Sequence, residues 1–281
     1  MAIVYALLCL LFAAVNDLVF KMYADRFRSR GAFVALVGLV WFLLTLWLPW
    51  EADSRVGATV LWGMISGTFS LTANLLLMEA MKRESAGMCS TLYRLNMIFV
   101  VVGAFLWLGE SVSPMQIMGI LLALLAILAF FPTGEHLFSA GSVGFYLALL
   151  AALLRAGMGL SYKYGFMHGA DANGVVVINS LFWFFGGIVY AVALERRASI
   201  RNRTLLLYGV FSGLLVSGIV FFMAASLRHG DAALVLPIAQ MSFIGTFMLS
   251  VVFMGESFSL RKLGAVLSGA AAVLLLSMSA A

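Results

Sequence analysis

Apolar residues fall in ten long runs, near 3–24, 33–49, 57–80, 87–108, 113–131, 141–165, 173–194, 204–227, 232–254 and 259–279. Polar positions gather in the short segments between them. Each run approaches the roughly 20 residues a helix needs to cross the hydrocarbon core. Period-two alternation is absent, and the runs are about twice as long as a membrane-barrel strand. In lipid the backbone must satisfy its own polar groups, so the pattern predicts α-helices. No stretch remains for a soluble domain. The chain reads as an all-α integral membrane protein of ten transmembrane helices. The first run has no basic leader and no clear small-residue cleavage site, and it carries Asn16 and Asp17. It is expected to be a retained helix and not a signal peptide.

Composition sharpens this. Hydrophobic residues make up 64% of the chain, charged residues 10%, and the mean hydropathy is +1.09, against about 25% charged residues in an ordinary soluble domain. The net charge of +5 would suggest nucleic acid in a soluble protein; here it is topological. Segments 24–32, 81–86, 132–140, 195–203 and 255–262 hold Arg26, Arg28, Arg30, Lys82, Arg83, Arg196, Arg197, Arg201, Arg203, Arg261 and Lys262, whereas the alternate loops hold only Arg55 and Arg228. Eleven against two places the first set in the cytoplasm and both termini outside it.

The tripeptide at Gly109-Glu110-Ser111 recurs at Gly255-Glu256-Ser257, an offset of 146 residues, each copy closing the fourth run of its half. The same offset pairs Ala86 with Ala232, Ile98 with Ile244 and Ser113 with Ser259; an offset of 142 pairs Phe20-Lys21 with Tyr162-Lys163. The division is therefore 1–131 and 141–281. Five helices per half is an odd number, so the second copy is inverted. The loop charges agree: loop 1–2 is basic while loop 6–7 has no Lys or Arg, and loop 2–3 has one while loop 7–8 has four. Inverted repeats supply secondary transporters with two similar states open to opposite sides. Duplication for packing alone is the competing reading.

Two five-helix halves, each with a fourth helix ending in Gly-Glu, resemble the drug/metabolite transporter superfamily in its EamA type. The stretch from Ala233 through Pro237, Gln240 and Phe243 to Met254-Gly255-Glu256-Ser257 carries the likeness, while the first half departs from it with Thr91 opposite Pro237 and Arg94 opposite Gln240. The resemblance implies a transport role, in a bacterial inner membrane. It also implies that the first, third and fourth helices of each half line a cavity, the second flank it and the fifth lie at the periphery.

Polar side chains at depth are costly and mark cavities or internal pairs. The first helix carries Asn16, Asp17 and Lys21 on one face, the third Asn74, the fourth Tyr93, Arg94 and Asn96, and the sixth Arg155, Tyr162 and Lys163. Gln240 is the repeat-mate of Arg94. These eleven residues are the candidate substrate-binding set. Arg155, near the middle of its run, either contacts substrate or pairs with Asp17 or Glu79. Arg94, about 10 Å from a helix end, either faces the cavity or snorkels to the interface. Glu79 is expected to bridge to Lys82 or Arg83. Pro237 is expected to break its helix locally and free a carbonyl. The two Gly-Glu-Ser glutamates read as caps of the fifth and tenth helices.

No G-x-x-x-x-G-K-[ST] motif is present, so ATP is not the direct energy source. Without membrane histidines, H-E-x-x-H or paired carboxylates, an enzyme is not indicated; Cys9 and Cys89 lie in apolar runs and suggest neither a disulfide nor a metal. No cofactor is expected. The partners are a small-molecule substrate and membrane lipid, with Asp17 the best carboxylate for proton coupling. The expectation is a secondary transporter of a small metabolite working by alternating access. Its cargo is an organic anion, or a zwitterion such as an amino acid. The alternatives are an exporter of cationic or aromatic compounds, and a channel or non-transport membrane subunit.

Overall fold

The structure is a computed structural model that describes residues 1–24, 29–51, 53–84, 86–129, 142–195, 203–255 and 259–279. The described residues form helices and connecting turns with no strand. In order they are α1 (Ala2–Ala24), α2 (Arg30–Thr45), α3 (Val56–Ala80), α4 (Ala86–Arg94), α5 (Asn96–Gly103), α6 (Pro114–Ala129), α7 (Val143–Met167), α8 (Ala172–Tyr190), α9 (Arg203–His229), α10 (Ala232–Gln240), α11 (Ser242–Met254) and α12 (Leu260–Met278). Eight stretches are long and apolar enough to cross a membrane, with α4–α5 and α10–α11 each counting as one; α2 and α6 are apolar but shorter.

Helix ends follow local chemistry. Ser29, Ser142 and Ser259 accept from the N–H groups of Ala32, Phe145 and Lys262, capping α2, α7 and α12. Pro114 opens α6 behind a capping box, in which Ser113 Oγ accepts from Gln116 N at 3.2 Å and Gln116 Oε1 from Ser113 N at 2.7 Å. Gly109 and Gly255 close the fourth run of each half with φ of 67° and 66°. Only glycine enters that left-handed turn without strain.

Outward faces are apolar, as at Leu11, Trp107, Val252 and Leu274, while Ser66, Ser70, Asn179 and Ser212 are buried. This suits a bundle surrounded by lipid, where small and polar residues mediate helix contacts. α1 packs on α9 and α3 on α7; α2 crosses α8; α6 lies along α12. α1 also meets α10 and α11, while α7 meets α4 and α5. Asn179 on α8 ties three helices together, donating to Gly63 O at 3.1 Å and Ser66 Oγ at 2.7 Å and accepting from Tyr162 at 3.1 Å.

Two carboxylates join distant parts of the chain at opposite ends of the bundle. At the end that holds Lys82 and Arg83, Glu195 accepts from Ser29 Oγ and from the N–H groups of Arg30 and Gly31 at 2.8, 2.9 and 3.2 Å. At the other end, Glu110 accepts from the N–H groups of Ala232 and Ala233, both at 2.8 Å. The glutamate of the first Gly-Glu-Ser therefore caps α10 and not the helix that follows it, which corrects the sequence expectation: Ser113 and Gln116 already serve α6. Glu256 lies outside the described residues.

Candidate functional site

α4–α5 and α10–α11 are each one apolar run interrupted near its middle. Leu95 (φ −64°, ψ −5°) parts the first pair and Met241 (φ −74°, ψ 7°) the second. At each break the turn tightens to i→i−3 bonds: Leu95 N to Leu92 O and Ile98 N to Leu95 O, then Met241 N to Ile238 O and Ile244 N to Met241 O, at 3.0–3.1 Å. The breaks stand 146 positions apart, the offset of the Gly-Glu-Ser repeat. Pro237 is not where the second helix breaks. α10 runs through it to Gln240, and α4 breaks at the matching place with Thr91 where the proline would be. The interruption thus belongs to the position, and the expectation of a proline break is corrected.

The breaks bring α1, α4 and α11 together around Asp17. Arg94 Nη2 lies 2.7 Å from Asp17 Oδ2. Its Nη1 donates to Gln240 O at 3.0 Å and to Ser242 Oγ at 3.1 Å. Ser242 and Thr246 also donate to Asp17 Oδ2, at 3.3 and 3.4 Å. The guanidinium carbon sits 5.2 Å from the centre of the Phe243 ring, a cation–π contact. The carbonyl that the break releases is thus engaged, by Arg94, and the arginine is not snorkelling to the helix end.

Arg155 is the thirteenth of the 25 residues of α7 and is half-buried. Its Nη1 donates to Met158 Sδ at 3.3 Å, a weak acceptor. Asp17 faces Arg94, and Glu79 bridges Lys82 while accepting from Tyr190. The Glu79–Lys82 bridge is the one expected from sequence. Neither carboxylate pairs with Arg155, so the ion-pair alternative for that residue is corrected. Among the described residues no carboxylate lies within ion-pair distance of it. Tyr93 is half-buried, and its carbonyl accepts from Asn96.

Other candidates make separate contacts. Asn16 accepts from Ser212 Oγ at 2.7 Å in the α1–α9 contact. Asn74 bonds back to Ser70 O on its own helix. Asn96 donates to Tyr93 O at 2.8 Å and leaves its Oδ1 buried with no partner among the described residues. Tyr162 is sealed and donates to Asn179. Lys163 donates to Leu227 O and Gly230 O at 3.2 and 2.7 Å, closing the end of α9. Gln240 joins the cluster through its backbone alone. The side chain of Lys21 lies outside the described residues. Ser242 and Thr246 were absent from the sequence set; their signal was position, since Ser242 stands 146 residues after Asn96. Glu110, outside the helices, has its carboxyl pushed up by burial, against the two N–H groups it accepts from.

The described residues offer no group of three metal-ligating side chains. The model of the EamA-like transporter family matches residues 1–131. A solved crystal structure of a protein 16% identical in sequence superposes with a TM-score of 0.81, covering 99% of this chain and 97% of its own. At that identity the likeness carries the fold alone. No curated protein matches the chain. Residues 1–131 thus match the EamA-like transporter family, whose members are multi-pass membrane transporters of small molecules, and the whole chain shares its fold with a solved structure.

Proposed function

We propose that the protein is a secondary transporter that moves a small organic anion or zwitterion by alternating access, through two inverted five-helix halves, 1–131 and 141–281. The ten spans are the eight long stretches together with α2 and α6. The observation that carries the reading is the exchange pattern of the packing. Trading α1–α6 for α7–α12 turns the α1–α9 contact into α7–α3, the α2–α9 contact into α8–α3, and α1 against α10–α11 into α7 against α4–α5, while α2–α8 and α6–α12 map onto themselves. Two bundles related in this way can trade conformations and open the centre to either side.

At that centre Arg155 is the group for the negative charge of the substrate. A guanidinium at bilayer depth is costly without an anion, and it offers a fork suited to a carboxylate. The eleven-to-two loop asymmetry supports a bacterial inner-membrane orientation with both termini outside the cytoplasm.

Uptake and counterflow into proteoliposomes, with anionic, zwitterionic and cationic metabolites, test the reading. Saturable counterflow of an anion or zwitterion, abolished in Arg155→Gln and kept in Ser268→Ala, is the expected result. Transport confined to cations overturns the substrate reading, and flux without saturation or counterflow overturns the carrier.

A further inference from the structure

The charges at the centre do not balance, and the imbalance narrows the substrate beyond the proposed anion or zwitterion. The inference rests on that proposal for its site. Each other deep charge among the described side chains is answered: Asp17 by Arg94, Lys163 by the carbonyls of Leu227 and Gly230, and Glu79 by Lys82. Among the described side chains Arg94 is balanced by Asp17 at 2.7 Å, while Arg155 meets Met158 Sδ and no carboxylate, so one positive charge is left over at Arg155. An uncompensated charge away from water is expensive.

We infer that the Arg155 site takes a small organic monocarboxylate without a cationic group. A monoanion cancels the surplus. A zwitterion brings no net charge, so the surplus remains after its water has gone, and its ammonium finds Asp17 already taken by Arg94. A dianion overshoots by one. Met158 borders Arg155 with a thioether sulfur at 3.3 Å, so the part of the ligand beside the fork is apolar.

The test uses the full chain, purified and reconstituted, with four probes that share a phenyl group and differ in charge: 3-phenylpropanoate, phenylalanine, 3-phenylpropanamide and phenylsuccinate. Melting temperature in detergent reads binding and counterflow reads transport. The monoanion is expected to bind and exchange at least about tenfold better than the other three, a difference of about 1.4 kcal/mol. Arg155→Gln loses the response and Arg155→Lys keeps part of it, while the unliganded melting temperatures report that each variant folds. Equal or better response to phenylalanine overturns the inference, as does a response unchanged in Arg155→Gln or no response to any probe. Counterflow of phenylalanine without anion preference overturns it and leaves the carrier standing. Binding of the monoanion with no counterflow supports the anion site and sinks the carrier.

Discussion

Asp17 on α1 and Arg94 on α4 meet at 2.7 Å, and the same arginine holds the broken end of α10 through Gln240 O. Their side chains are 36% and 16% exposed, so the pair lies between two limits: about 0.2–1 kcal/mol for an exposed pair, and about 3–5 kcal/mol for removing one partner of a buried one. A double-mutant cycle of Asp17→Asn and Arg94→Gln, read by denaturant unfolding, is expected to give a coupling of about 1–2 kcal/mol. The two single variants should lose more together than the double. Strict additivity would mean that the pair carries nothing.

Glu110 gives a pH signature. Burial raises its carboxyl in the folded chain. Its contribution to stability is then fully present below the carboxylate range of the unfolded chain, and is lost as pH rises through the raised folded value. Glu110→Gln does not titrate there. The melting-temperature gap between wild type and Glu110→Gln should therefore shrink as pH rises above the ordinary glutamate value of about 4.3. A gap that widens with pH would mean that the two amide bonds outweigh burial.

Glu195 predicts a local effect at the other end of the bundle. It satisfies two of the first backbone N–H groups of α2, while Ser29 supplies the cap from within the segment. Glu195→Ala should cost about 1–3 kcal/mol, the penalty of unpairing buried donors. Hydrogen exchange should quicken at Arg30 and Gly31 ahead of the rest of α2. Ser29→Ala, with Glu195 still in place, should cost about 1 kcal/mol or less. Uniform exchange along α2 in both variants would remove the cap from the explanation.

The apolar runs made the helices legible because length and hydropathy are properties of a segment. What they could not give is azimuth. Asp17 and Arg155 both lie within apolar runs, yet α1 turns Asp17 toward α4 and α11, so Arg94 takes it. The breaks escaped notice for a related reason. Leu95 and Met241 are apolar and neither Pro nor Gly, so nothing local announces a turn there, while Pro237 drew attention to a place where the helix continues. Glu110 misled in a third way. Its Gly-Glu-Ser-x-Ser setting spells a cap for the next helix, and its true partner, the start of α10, is 122 residues away. The Gly-Glu-Ser repeat did mark a matching left-handed turn at Gly109 and Gly255, because a positive φ is a local demand that glycine answers.

The α2–α8 crossing can be tested with one chemical change made in two places. A Cβ on Gly38 would stand 2.4 Å from Phe184 N, and one on Gly187 would stand 2.3 Å from Ala35 N. Those are backbone atoms and cannot rotate away, so the helices must part. The same Cβ on Gly57, in α3, meets nothing within 4 Å. Adding a methyl to a filled contact costs about 1–3 kcal/mol, whereas replacing an open helical glycine by alanine gains about 0.5–1 kcal/mol. Gly38→Ala is therefore expected to lower the melting temperature in detergent and Gly57→Ala to hold or raise it. If Gly38→Ala melts with the wild type, the two helices do not approach so closely.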